Sequence, residues 1–146
     1  MSEGPGFLEF FILEASDYVE QLDGLLLGGS STGPDSDAMQ RVARALRGTA
    51  TMAKLPSFAE VAAGLERVGR AMHAGTLQWD PALRGALTAA VDDLKTLIHS
   101  ARTWSPADDE RAQSQIVNCA RMGSNASQRN VTSQAMNIPA TANNQL

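Results

Sequence analysis

The chain has 146 residues, of which 43% are hydrophobic and 19% charged, enough for one compact domain with a real core and too few for two. A net charge of −4 leaves no basic excess to neutralise nucleic-acid phosphates, so a nucleic-acid partner is not expected. No apolar run approaches the roughly 20 residues of a membrane span, and the single cysteine, Cys119, rules out an internal disulfide and suits a reducing cytoplasm.

After Gly4-Pro5, residues Phe7 to Leu27 read as a first helix, with Leu8, Phe11, Ile12, Ala15, Val19, Leu22 and Leu26 along one face. Phe7 and Phe10 fall at the margin of that stripe; the core is the expected place for them, and a partner contact or a cap over the end of the bundle is the alternative. Gly28 to Pro34 is a loop by composition. A second helix begins at an Asp35 or Ser36 cap, with acidic residues in its first turn, and runs to about Lys54. Pro56 breaks it. Ser57-Phe-Ala-Glu60 then reads as a capping box opening a third helix, which carries Phe58, Val61, Ala62, Leu65, Val68 and Met72 inward and stops near Gly75. Trp79-Asp80-Pro81 starts a fourth, with Asp80 as N-cap and Pro81 in the first turn. Its inward residues are Leu83, Leu87, Ala90, Leu94, Leu97, Ile98 and Ala101, and it ends near Trp104.

Four amphipathic helices with short connections and no alternating strand pattern predict an all-α antiparallel up-down four-helix bundle over residues 5–104. Residues 105–146 are rich in Ser, Asn, Gln, Ala and Thr with no sustained period, and read as a polar, disordered tail or linker. A short helix around Asp109 to Met122 would have little to pack against.

The second helix has two faces. Ala38, Val42, Ala45, Leu46, Thr49 and Met52 form an apolar stripe, while Gln40, Arg41, Arg44, Arg47, Gly48 and Thr51 form an outer face. Gly48 lies one turn from Arg44, at a cost of about 1 kcal/mol of helix propensity relative to Ala. A side-chain-free spot beside a long cation suggests a surface that another protein approaches closely; the plain alternative is a solvated basic face. With Lys54, the arginines make a local basic cluster on an acidic chain, suited to an acidic protein patch.

Arg44-Ala45-Leu46-Arg47-Gly48 resembles the His-x-Leu-Lys-Gly motif of the histidine phosphotransfer (HPt) domains, especially the module that opens chemotaxis-type histidine kinases. Leucine and glycine match, Arg47 replaces the lysine, and Arg44 stands where the phospho-accepting histidine would be. Leu65-Glu66 falls where that family has a Leu-Glu pair whose glutamate steadies the histidine, and the resemblance covers roughly residues 7 to 104. It implies an HPt-like bundle in a two-component or chemotaxis-like pathway, docking a response-regulator receiver domain or a histidine kinase domain.

The substitution implies loss of the reaction. Phosphorelay needs an imidazole nitrogen with a free lone pair, whereas a guanidinium offers only donors and stays protonated. The expectation is a pseudo-HPt module with no catalytic residue, no cofactor and no metal site. Partner contacts fall on Arg41, Arg44, Arg47, Gly48 and Thr51, supported by Glu66, which is expected within reach of Arg44. Two alternatives stay open. One is a structural bundle whose small residues Ala62, Ala63, Gly64 and Gly69 pack another helix in self-association; the other is phosphotransfer through His73 or His99. Oligomeric state is not legible.

Overall fold

The computed structural model describes residues 3–28 and 31–123, and every regular element among them is helical. Four long helices come first: α1 (Glu3–Gly28), α2 (Ser36–Met52), α3 (Pro56–Ala74) and α4 (Pro81–His99). A single 3-10 turn, Ala101–Thr103, follows, and residues 106–123 form α5.

Local chemistry sets the boundaries. The Asp35 carboxylate accepts from the Ala38 backbone N–H, and the Asp80 carboxylate accepts from that of Leu83. Each satisfies a donor that the first helical turn leaves unpaired. Asp35→Ala is therefore expected to lower stability by about 1 kcal/mol, read as a fall in the thermal midpoint. Gly75 closes α3 with φ +82°, a left-handed position that glycine adopts without a Cβ clash. The expected capping box is corrected. Leu55 is the N-cap of α3, Pro56 takes the first turn that its fixed φ favours, and the Ser57 hydroxyl donates instead to Asp109 of α5.

The helices contact one another in a ring, α1 with α2, α2 with α3, α3 with α4 and α4 with α1. Partner numbers run in opposite directions across these seams. Arg44 of α2 meets Glu66 of α3 while Gln40 meets Gly69, and Asp23 of α1 meets Lys95 of α4 while Glu9 meets Arg102 just past its end. Neighbours are thus antiparallel, the arrangement short connections impose. Phe11 of α1 and Phe58 of α3 close one end of the core edge to face, with ring centroids 5.0 Å apart. Leu46, Leu65, Leu87, Leu94 and Leu97 fill the layers below.

On α2 the buried residues are Met39, Val42, Ala43, Leu46, Thr49 and Ala50. Ala38 and Ala45 are only half-buried and Met52 is exposed, so the stripe expected there is rotated toward α3. Phe7 and Phe10 are corrected as well: they are 55% and 48% exposed, on a flank of α1 that no helix covers.

The larger correction concerns the expected tail. Residues 106–123 form a helix that lies over α3 and α4 and buries Ala112, Cys119 and Met122. Contacts pair Ser57 with Asp109 and Gly64 with Cys119, so α5 runs parallel to α3, while Arg111 and Gln115 donate to Asp93 of α4. Residues 124–146 of the expected tail lie outside the described residues.

Two glycines of α3 account for the close packing on its two sides. A Cβ at Gly64 would stand 2.8 Å from the Cβ of Cys119, and one at Gly69 would stand 3.1 Å from the Gln40 side chain and 3.4 Å from its backbone nitrogen. Of the small residues singled out for self-association, the two glycines are occupied within the chain: Gly64 seats α5 and Gly69 seats α2.

Candidate functional site

Glu66 is the centre of the outer face shared by α2 and α3. Its side chain is 6% exposed, yet it lies on the seam where α2 presents two arginines three residues apart. Arg44 Nε donates to Glu66 Oε2 at 3.0 Å, and Arg47 Nε donates to Oε1 at 2.9 Å. Arg70, one turn further along α3, donates from Nη2 to Oε2 at 3.4 Å. Residues 44 and 47 fall on adjacent turns of one helix, which is why a single carboxylate reaches both.

Burial pushes the Glu66 carboxyl up, but the hydrogen bonds and charges of Arg44 and Arg47 outweigh it and hold the group below the ordinary glutamate value. The carboxylate therefore stays ionised. The guanidiniums above it remain open to solvent, Arg44 at 60%, Arg47 at 42% and Arg70 at 59%.

The remaining sequence-derived residues surround this cluster. Arg41 is exposed and pairs with Asp37 on its own helix at 3.2 Å, so it stands apart from Glu66. Gly48 is exposed, and a Cβ there would meet nothing within 4 Å. Thr51 is exposed with its hydroxyl donating to the Arg47 carbonyl. Lys54 sits in the α2–α3 turn with φ +62°. Arg70 was missed, although its spacing of four from Glu66 on α3 was a usable signal.

A family model described as the Hpt domain matches residues 6–97. The chain belongs to the Hpt domain family. The match takes in most of α1, all of α2 and α3 and nearly all of α4, more than half of the chain, and leaves α5 outside. No curated protein and no solved structure matches the chain.

As an Hpt domain, the chain has its place in histidine phosphotransfer signalling, in a family of phosphoryl carriers that meet receiver domains and kinases. Neither histidine of this Hpt domain bonds to Glu66, although His73, three residues from Arg70 and seven from Glu66, shares their face of α3. His73 is exposed in the last turn of α3, and His99 is exposed at the end of α4, bordering a shallow groove with Ser16, Glu20 and Lys95. Among the described residues no group of His, Cys, Asp and Glu has the arrangement of a metal site, and no helix is long and apolar enough to cross a membrane.

Proposed function

We propose that this Hpt domain is catalytically silent and acts by docking an acidic partner, a response-regulator receiver domain or a histidine kinase domain, through the Arg44 face. One observation carries the reading. Arg44, at the motif position of the phospho-accepting histidine, is tied by Nε to a buried carboxylate and holds its charge at the surface. A guanidinium offers only donors and has no lone pair with which to attack an aspartyl phosphate. What it retains is recognition of carboxylates and phosphoryl groups.

The surroundings support docking. Gly48 leaves open space beside Arg44, so a partner backbone can come close, and Arg41, Arg47 and Thr51 form a polar rim. Exposed apolar groups lie at one end of the bundle. Phe7 and Phe10 lie in the N-terminal half of α1 and Met52 at the C-terminal end of the antiparallel α2, so all three belong to the same end of the bundle. Exposed aromatic side chains and a charged face on one molecule suit a protein partner, with the charges governing encounter and orientation.

The test uses purified receiver domains and the whole chain in a titration calorimeter. Binding is expected, with Arg44→Glu and Arg47→Glu together weakening it by at least about 30-fold while the circular dichroism of the bundle is unchanged. Acid-labile phosphate on the chain after incubation with a phosphorylated receiver would overturn the silent assignment. Undiminished binding by the charge-reversed variant would overturn the docking face.

A further inference from the structure

The Glu66 cluster is unbalanced. Three guanidiniums converge on one carboxylate, leaving a local excess of two positive charges on a chain whose net charge is −4. The hydrogen bonds are also incomplete on the arginine side. Arg44 and Arg47 each reach Glu66 through Nε, and among the described contacts nothing else accepts from their terminal nitrogens. Each guanidinium therefore keeps its Nη1/Nη2 edge for an external acceptor, and the two side chains arise from positions about 5–6 Å apart on one helix.

We propose that Arg44, Arg47 and Arg70 form a binding site for a phosphoryl dianion. A carboxylate would bring one charge against a local excess of two. A phosphoryl group carries two charges and three terminal oxygens, which match the local excess and can accept from both edges at once. Glu66 makes the site ready-formed. By fixing both arginines through Nε it removes side-chain freedom that a ligand would otherwise have to freeze, and its ionised state keeps the cluster from repelling itself apart. Gly48 leaves room for the chain that bears the phosphoryl group. For the source of that group, an acyl phosphate on a docked receiver, the inference rests on the docking reading; the site's own chemistry does not.

The experiment follows the backbone amide resonances of residues 44–51 and 66–70 in the whole chain during titration with sodium phosphate at neutral pH. Sodium acetate at equal ionic strength serves as the control. Saturable shifts are expected with phosphate at a dissociation constant on the order of 1 mM, about tenfold tighter than with acetate, and lost in Arg44→Gln and Arg47→Gln. Superimposable phosphate and acetate titrations, or shifts that survive both substitutions, would overturn the site. A second arm compares a receiver domain with and without beryllofluoride, a mimic of its acyl phosphate. Tighter binding of the treated form by about tenfold assigns the receiver's phosphoryl group as the ligand; equal binding of the two forms overturns that assignment and leaves the docking reading standing. Phosphate binding with no receiver captured in either form supports the anion site and rejects the docking reading.

Discussion

Glu66→Gln is expected to lower the unfolding free energy by about 2 kcal/mol at neutral pH, the scale of losing hydrogen bonds to a charged group. The amide keeps the shape of the carboxyl but presents only one oxygen, so Arg44 and Arg47 can no longer both donate to it. The loss stays below the roughly 3–5 kcal/mol of breaking a fully buried pair, because the guanidiniums left behind are about half exposed and water takes up their donors.

Acid should erase the difference. The folded-state pKa of Glu66 is depressed, so its contribution is fully present above the unfolded value and is lost as pH falls through the folded one. Urea unfolding of both proteins at neutral pH and at about pH 3 is the measurement, with the gap between them shrinking at the lower pH. A gap of the same size at both would show that Glu66 stabilises the bundle by shape and not by charge.

A second large effect is expected at Gly64. With only 2.8 Å between a Cβ there and the Cβ of Cys119, a leucine has no place to go unless α5 lifts from α3. The reporter is built in, since Cys119 is the only cysteine in the sequence. Burial pushes its thiol up to about 11. At mildly alkaline pH such a group is roughly a thousandth ionised, against about a tenth or more for an exposed cysteine, and the thiolate is the reactive form. Gly64→Leu should therefore raise the rate of reaction with an aromatic disulfide reagent by at least about 100-fold, from ionisation alone and before any gain in access. Equal rates in the two proteins would mean that α5 does not depend on this contact.

The bundle was legible because its punctuation is chemical. Asp35, Asp80 with Pro81, and Gly75 mark ends that the structure keeps, since each supplies a cap or a backbone conformation that few other residues can. The rotation of the α2 stripe was harder to see. Positions 38, 43, 45 and 50 are all alanine, small enough to face either way, so periodicity alone cannot decide which of them faces inward. Phe7 and Phe10 misled because aromatic side chains usually lie in cores, and the bundle leaves these two outside.

α5 was hidden by composition. Its inner face, Asp108, Ala112, Gln115, Cys119 and Met122, recurs at steps of three and four but is partly polar, so its periodicity is faint. What makes the face buriable is not its own hydrophobicity. Gln115 donates to Asp93 of α4, and Asp108 accepts from the backbone and hydroxyl of Ser105. At the site, Arg44 and Glu66 could be brought together from the short α2–α3 turn. The participation of Arg70 required noticing that α3 supplies a cation to its own glutamate.

The near-contact of Gly69 with Gln40 lies one turn along the seam from Arg44 and Glu66. A Cβ at position 69 would press on Gln40, which must give by a few tenths of an ångström, and a bulky side chain there would push α2 from α3 and draw the guanidiniums away from the buried oxygens. The glycine is thus a spacer that tunes the charged surface remotely, and variation in this small, unreactive residue is a route by which such a module can be detuned without altering any residue its partner touches.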